Sequence, residues 1–235
     1  PTTFDYTLKN GEVFETPESI MTYSSCGLRK MSHSMHDFVR NHIVRGTYQD
    51  LPRPILNNSW EAAYFRFNER KLLKMAKKAS KAGMELFVLD DGWFGTRNSD
   101  FEGLGDWYVN KKKLPGGLER LSKRINKLGM DFGIWVEPEM VNEKSNLYKA
   151  HPEWVIKTPN RVQSLGRHQY ILDLSNQDVV DYLFESMKDV FTRSNCKYVK
   201  WDMNRIFSEY FSSSLEEEKM NELSHRYVVG LYQLM

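Results

Sequence analysis

The sequence of 235 residues has few cysteines, no excess of charge of one sign and no long apolar run. Its two cysteines, Cys26 and Cys196, cannot build a disulfide framework by themselves, so we expect a reducing compartment, the cytoplasm. The formal net charge is only +2, which argues against a nucleic-acid-binding protein. No stretch is long enough to span a membrane and the opening residues lack a secretory pattern, so we predict neither membrane insertion nor secretion.

Glycine-rich nucleotide motifs and clusters of metal ligands are also missing from the sequence. No G-x-G-x-x-G pattern follows a strand and no Walker loop is present, which makes a nucleotide-binding sheet the weaker interpretation. His33 and His36 lie three residues apart on a predicted helix, but no third or fourth ligand accompanies them. We therefore predict no metal and no cofactor.

Aromatic residues, by contrast, are abundant at 13% of the chain, and six of them are tryptophans. After Pro54, short apolar runs alternate with helical stretches, and this alternation predicts a parallel sheet packed between helices. The predicted helices cover residues 69–82, 117–128, 176–191 and 215–234. The five predicted strands are the runs PILN, ELFVLDD, DFGIWVEPE, YILDL and KYVKWD. A (β/α)8 barrel present as roughly its first five units fits this pattern, and a doubly wound sheet stays open.

The first 45 residues follow a different pattern from the rest of the chain. Residues 1–24 alternate in short strand-like runs broken by turn residues, which is typical of the exit from a β-domain. Residues 27–45 carry apolar side chains at spacings of three and four and predict a connecting helix. We therefore divide the chain into residues 1–45, the end of a preceding β-domain, and residues 46–235, part of the α/β domain.

Two adjacent carboxylates end the second predicted strand. In α/β barrels the reactive groups lie where strands end, and Asp90 and Asp91 occupy that place after residues 86–89. Helix capping and a divalent metal are the alternatives, but the residues that follow do not start a helix and no further acidic ligand has suitable spacing. Carboxylates beside Trp93 suit a polyhydroxylated ligand, whose hydroxyls donate to them while an indole covers the sugar ring.

The third and fifth predicted strands add further candidates. Trp135 is either a core residue or a platform for a sugar. In the fifth strand a period of two puts Lys200, Asp202 and Asn204 on one face. Lys200 near Asp202 would favour the charged carboxylate that a nucleophile needs, and a structural ion pair is the alternative.

Five motifs of this sequence resemble those of the bacterial α-galactosidases of glycoside hydrolase family 36. They are NNSWEA at 57–62, LDDGWFG at 89–95, GIWVEPEM at 133–140, LGR at 165–167 and KWDMNR at 200–205. They occur in the order of that family, and the resemblance covers essentially the whole chain. It implies a (β/α)8 catalytic barrel at 46–235, with residues 1–45 similar to the end of an N-terminal β-sandwich domain and its connecting helix.

The resemblance implies a retaining glycosidase that removes terminal α-linked galactose from melibiose and raffinose-type sugars. By the family pattern Asp202 is the nucleophile, and Asp90 and Asp91 hold galactose hydroxyls. Further polar contacts with the sugar are implied for Arg167, Lys200 and Asn204, and the walls of the pocket for Trp60 and Trp135. The resemblance also suggests a cytoplasmic homo-oligomer, a tetramer.

A retaining glycosidase needs a second carboxyl group as general acid/base. In the family this is an aspartate on a later strand, and the acids after Asp202 lie in a predicted loop or helix. We therefore expect the acid/base to lie beyond Met235 and the 235-residue chain alone to be inactive. The alternatives are a galactoside-binding protein without catalysis, an α-N-acetylgalactosaminidase, or a transglycosylase on the same scaffold.

Overall fold

The computed structural model describes residues 4–235 and divides into two compact units. The smaller unit is Thr7–Pro54, and the larger unit is Ile55–Met235 together with residues 4–6.

The smaller unit contains helix α1 (Gly27–Phe38), which continues into a π-helical turn at Val39–Ile43, and a 3-10 turn at Thr47–Gln49. The predicted connecting helix is thus present. The strands predicted over residues 4–24 are wrong, and the first three residues lie outside the described part. The only regular feature of that stretch is a turn in which the Glu12 amide donates to the Lys9 carbonyl. An alternating pattern forms a strand only where another strand offers its backbone, and none pairs with residues 4–24.

The larger unit alternates strands and helices as predicted. Its elements are β1 (Leu56–Asn58), α2 (Trp60–Ala63), α3 (Glu69–Lys81), β2 (Leu86–Leu89), α4 (Gly117–Asn126), β3 (Asp131–Val136), β4 (Met140–Val141), α5 (Asn146–Ala150), β5 (Tyr170–Ile171), α6 (Gln177–Arg193), β6 (Tyr198–Trp201) and α7 (Leu223–Leu234). Short 3-10 turns lie at Pro152–Trp154 and Glu217–Glu222. The long helices agree with the prediction, except that α7 begins at Leu223 rather than near residue 215.

Four strands form one parallel sheet in the order β1-β2-β3-β6. All four residues of β2 are buried, and Phe87 and Leu89 belong to one hydrophobic core with residues of α3 and α4 and with Trp93. A Cβ added at Gly133 of β3 would lie 3.0 Å from the carbonyl oxygen of Tyr198 in β6, so the glycine permits this close pairing. The carboxyl ends of four strands therefore lie along one edge.

The fourth predicted strand does not join this sheet. Tyr170–Ile171 forms β5, which pairs antiparallel with β4. The expectation of five strands in the parallel sheet is therefore wrong, and the sheet described within residues 4–235 has four. Two observations explain the difference. Pro138 and Glu139 turn the chain after β3 so that Met140 and Val141 offer their backbone to β5, and β6 occupies the place beside β3. An apolar run indicates a buried strand but not its partner.

Helix α7 closes one side of the larger unit against α6 and the residues after β5. Gly230 lies so close to Leu174 that an added Cβ would overlap the Leu174 carbonyl oxygen. Tyr227 is buried and its hydroxyl donates to Glu139 Oε2 at 2.7 Å. The helix is thereby tied to the segment that follows β3.

Candidate active site

Asp90 joins three strands at the carboxyl edge of the sheet. Its Oδ2 accepts hydrogen bonds from Asn58 Nδ2 at 2.6 Å and from Lys200 Nζ at 3.0 Å, and its Oδ1 accepts from the Asp91 amide at 2.8 Å. Asn58 ends β1, Asp90 follows β2 and Lys200 lies in β6. The carboxylate is 3% exposed, so charge-assisted bonds in this setting are strong and directional.

Asp202 lies beside this ion pair, immediately after β6. Its Oδ2 accepts hydrogen bonds from Trp135 Nε1 at 3.0 Å and from Asn204 Nδ2 at 2.9 Å, and its Oδ1 accepts from the Met203 amide at 3.2 Å. Burial raises the pKa of Asp202, but these hydrogen bonds and the Lys200 charge outweigh it, so the pKa is lowered. The carboxylate is therefore charged at neutral pH.

Lys200 forms its ion pair with Asp90 rather than with Asp202. We predicted that Lys200 would lie near Asp202 and favour its charged form, with an ion pair between the two as the alternative. That ion pair is absent among residues 4–235, and β6 ends at Trp201, before Asp202. The amine still acts on Asp202 through its charge, which lowers the pKa of that carboxyl group. Lys200 thus forms an ion pair with Asp90 and stabilises the charged form of Asp202.

Asp91 is engaged by an arginine that the sequence did not indicate. Arg97 Nε and Nη2 contact both oxygens of Asp91, with Nη2 2.8 Å from Oδ2, and Nη1 donates to Asn142 Oδ1 and to the Glu102 carbonyl oxygen. Burial raises the pKa of Asp91, and the Arg97 guanidinium opposes that rise. Because Arg97 occupies Asp91 at two points, the pair braces the loop after β2.

Lys113 holds the same loop from its other side. Its buried amine donates to the carbonyl oxygens of Gly92 and Arg97, both at 2.8 Å, and lies over the Phe67 ring. Burial lowers the pKa of Lys113 to about 8. Gly92 has φ +98°, a conformation that favours glycine, so the tight turn after the aspartate pair depends on this residue type.

The three remaining predicted site residues differ in position. Trp135 is buried, with its ring parallel to Phe94 and its N–H on Asp202, so it is both a core residue and a contact of the carboxylate. Trp60 is half-buried at the start of α2, where its amide donates to Asn58 Oδ1. Arg167 is exposed and lies 3.4 Å from Asp100, with no contact to Asp90 or Asp202 among the described residues.

Like Arg97 and Lys113, Glu137 is a residue of the site to which the sequence pattern assigned no role. It follows β3, is 1% exposed, and accepts hydrogen bonds from the Asn204 amide at 2.8 Å and from Gln169 Nε2 at 3.3 Å. Burial raises the pKa of Glu137 to about 7. Its place at a strand end was the available signal, whereas Arg97 lies in a loop that no periodicity indicates.

Two further features concern ligands and membranes. Within residues 4–235, no three histidine, cysteine, aspartate or glutamate side chains are grouped as a metal site would require. Among the helices of the same residues, none is both long enough and apolar enough to cross a bilayer.

A charged carboxylate with fixed donors at the carboxyl edge of a parallel sheet can attack an electrophilic carbon, and neighbouring acids can accept hydrogen bonds from hydroxyls. The fold is the α/β fold of family 36 α-galactosidases. The structure matches the crystal structure of α-galactosidase AgaA from Geobacillus stearothermophilus with a TM-score of 0.97 and 50% identity, covering 99% of this chain and 32% of that chain. A doubly substituted AgaA in complex with raffinose matches with a TM-score of 0.88 at 50% identity, covering 90% of this chain and 30% of that chain.

The chain belongs to the melibiase family, whose sequence profile matches residues 13–235. In sequence it is 50% identical over 235 residues to the curated α-galactosidase AgaA of Geobacillus stearothermophilus, which covers all of this chain and 32% of that protein. The chain therefore spans about a third of the length of the curated relative it matches.

Proposed function

We propose that the protein containing this chain hydrolyses terminal α-D-galactose residues from α-galactosides such as melibiose and raffinose-type oligosaccharides, with retention of configuration. The observation that carries the proposal is the Asp202 carboxylate, held in its charged form by Trp135, Asn204 and the nearby Lys200 charge. Membership of the melibiase family and the raffinose complex of a relative support the substrate class.

The proposal extends to the architecture around the site. The four parallel strands form part of a (β/α)8 barrel, since an open parallel sheet with buried central strands and packed helices is what an incomplete barrel contains. Residues 1–45 belong to the end of a preceding β-sandwich domain and its connecting helix, and residues 46–235 to the barrel. Circular dichroism of the full-length protein and a structure of it check this arrangement.

In the proposed reaction, Asp202 attacks C1 of the galactose from the face opposite the leaving group. A bond forms between a carboxylate oxygen and C1, while the bond from C1 to the glycosidic oxygen breaks and its electron pair goes to that oxygen, which receives a proton from the second carboxyl group. Water then attacks C1 of the β-galactosyl-enzyme and gives a proton to that second group, now a carboxylate, while the bond from C1 to Asp202 breaks and Asp202 leaves as a carboxylate. Two inversions give galactose in its original α configuration.

The neighbouring groups would orient the sugar. Asp90 is the proposed acceptor for galactose hydroxyls, with Lys200 and Asn204 beside it as donors. Asp91 would act with Arg97, whose fork already occupies both of its oxygens, so we propose that its larger contribution is to hold the loop after β2. Trp60 and Trp135 are the proposed walls of the pocket, and Arg167 would reach the sugar from the loop before β5.

The second carboxyl group is proposed to come from another part of the full-length protein. Retaining enzymes place the two carboxyl groups roughly 5–5.5 Å apart. Asp202 is the last aspartate of these 235 residues, and the glutamates near the end lie in the turn at Glu217–Glu222 or the segment before it. Homotetrameric assembly and a cytoplasmic location belong to the same proposal, and analytical ultracentrifugation and cell fractionation check them.

Substitution of the nucleophile in the full-length protein tests the proposal. We expect Asp202→Asn to lower kcat on an aryl α-galactoside by about 10³-fold or more, because the amide is a poor nucleophile, and to leave galactose binding within about threefold. Asp131→Asn, at the opposite end of β3, is the matched control and should keep wild-type kcat. The measurements are steady-state kinetics and calorimetric titration with galactose.

Each alternative has its own outcome in these measurements. Galactose binding by a wild-type protein that turns over no glycoside would identify a non-catalytic binding protein. Faster turnover of an aryl N-acetyl-α-galactosaminide would identify an α-N-acetylgalactosaminidase, and oligosaccharide products in place of free galactose a transglycosylase. Wild-type kcat in Asp202→Asn would remove Asp202 from its proposed role.

A further inference from the structure

Glu137 is a buried carboxylate without an ion-pair partner of its own. Its Oε1 accepts the Asn204 amide at 2.8 Å, and its Oε2 accepts from Gln169 Nε2 at 3.3 Å. The Arg97 charge acts on it and lowers its pKa, but Arg97 is already bonded at two points to Asp91, and the Asp202 charge opposes that of Arg97. Burying a carboxylate that has no ion-pair partner costs free energy. We therefore expect Glu137 to have a function at this strand end.

The segment that Glu137 holds contains Asp202. Strand β6 ends at Trp201, and residues 202–204 have no regular secondary structure. The Asp202 amide still donates to the Val136 carbonyl oxygen at 2.9 Å, and the next fixed point is the Asn204 amide on Glu137. The segment is therefore anchored at both of its ends by consecutive residues, Val136 at the end of β3 and Glu137 directly after it.

The second anchor acts directly on the carboxylate. Asn204 Nδ2 donates to Asp202 Oδ2 at 2.9 Å, beside the bond from Trp135 Nε1 to the same oxygen. If the Asn204 backbone moves, its side-chain amide moves with it and Asp202 loses one of the two donors on Oδ2. We infer that Glu137 is a positioning residue that fixes the Asn204 backbone and so holds the Asp202 carboxylate in its attacking position, an inference that rests on the proposed function.

Gln169 supports Glu137 from the other side and offers a way to test the inference without unfolding the site. Gln169 Oε1 is buried and has no hydrogen-bond partner among the described residues. If the Gln169 amide flips by 180°, a glutamine at position 137 accepts the Asn204 backbone N–H through its amide oxygen and donates its amide N–H to Gln169 Oε1. Glu137→Gln thus keeps the contact to Asn204, whereas Glu137→Ala removes it.

The experiment uses the full-length protein with three variants, Glu137→Ala, Glu137→Gln and Glu139→Gln. Glu139 is the matched control, because it is equally buried beyond the same strand but accepts from Trp201 Nε1 and the Tyr227 hydroxyl instead. Kinetics on an aryl α-galactoside give kcat and KM separately, hydrogen exchange with mass spectrometry reports the Asn204 amide, and thermal melts report overall stability.

We expect Glu137→Ala to lower kcat by about 10- to 100-fold with KM within about threefold, and to accelerate exchange at Asn204. Glu137→Gln should stay within about fivefold of wild-type kcat and keep the exchange protection. Glu139→Gln should lower the melting temperature without changing kcat or exchange at Asn204. If Glu137→Ala does not fold, Glu137→Asp takes its place, because the shorter side chain withdraws the acceptor from the Asn204 amide.

Two results would overturn the inference. One is unchanged exchange at Asn204 in the variant that removes or withdraws the acceptor. The other is a kcat loss that follows the melting temperature equally in the Glu137 and Glu139 variants. A wild-type protein without α-galactosidase activity would instead refute the proposed function, and the exchange data would still decide whether Glu137 holds Asn204.

Discussion

The two oxygens of Asp202 have different surroundings. Oδ2 accepts from the Trp135 indole and the Asn204 side-chain amide. Among residues 4–235, Oδ1 accepts only from the backbone amide of the next residue, Met203, at 3.2 Å. Donors on a carboxylate stabilise its charged form and fix its orientation. The less engaged Oδ1 is therefore the oxygen that we expect to attack, while Oδ2 keeps the group charged and aligned.

Removing the indole donor should shift the pH profile of the enzyme. In Trp135→Phe the ring stays but the N–H on Asp202 is lost, so the pKa of Asp202 rises toward its ordinary value. Because the charged form is the proposed nucleophile, the acidic limb of kcat/KM should move to higher pH. We expect kcat at neutral pH to fall by about tenfold. Steady-state kinetics between pH 3 and 8 measure both effects.

Trp107→Phe is the control for that prediction. Trp107 packs against Phe94 in the same aromatic cluster, but its Nε1 is buried without a hydrogen-bond partner among residues 4–235. Its substitution should leave the acidic limb in place. An equal shift in both variants would mean that the cluster, and not the hydrogen bond to Asp202, sets the pKa.

Strand-end reasoning predicted the central residues of the site but not those that brace it. Asp90, Lys200 and Asp202 come together because parallel strands end at one edge, and that rule needs only the pattern of the sequence. Arg97 reaches Asp91 from an irregular loop, and its direction depends on the carbonyl groups and amides around it. No periodicity in the sequence carries that information.

At the scale of elements, the packing of α7 depends on one residue without a side chain. An alanine Cβ at position 230 would overlap the Leu174 carbonyl oxygen, and a backbone atom cannot move aside as a flexible side chain can. We expect Gly230→Ala to lower the free energy of unfolding by about 1–3 kcal/mol. Thermal or denaturant melts measure the loss.

Gln233→Ala, at an exposed position of the same helix, provides the comparison for Gly230→Ala. It should change the free energy of unfolding by no more than about 0.5 kcal/mol. Equal stability of the two variants would mean that α7 does not pack on Leu174 as described.

The elements themselves were predictable where periodicity was long. Helices α3, α4 and α6 carry apolar stripes over ten or more residues, and side chains of Asn68 and Asn176 cap two of them, so their existence and position follow from the sequence. The run at Tyr170–Ile171 is short, and its partner is chosen by the turn after β3. The sequence around these short strands contains no local pattern that predicts which strand pairs with which.

At the scale of the whole molecule, the parallel sheet ends at β1 on one side and β6 on the other. The side chains of Tyr198 and Val199 in β6 are 38% and 36% exposed, although parallel sheets are ordinarily covered on both faces. An exposed edge of this kind is a template for pairing with another chain. Leu56 of β1, at the other edge, is 41% exposed, so both edge strands are less covered than β2 and β3.

The isolated 235-residue polypeptide should therefore be inactive and should self-associate. We expect no detectable hydrolysis of an aryl α-galactoside, since one proposed carboxyl group is absent, and early elution from a size-exclusion column, since the edges are unpaired. The full-length protein, prepared in parallel, should turn over the same substrate. Turnover by the short polypeptide as a monomer would contradict both expectations.

The tryptophans around the carboxylate also give the site an intrinsic fluorescence signal. Trp93 Nε1 donates to the Trp135 carbonyl oxygen at 2.9 Å, and Trp135 Nε1 donates to Asp202, so two indoles are linked in series to the group that would carry the sugar. Indole emission depends on the charge of the acceptor to which the indole N–H donates. Conversion of Asp202 to a neutral ester should change the intrinsic fluorescence, which gives the protein a built-in signal of covalent occupancy that stopped-flow recording can follow without a label.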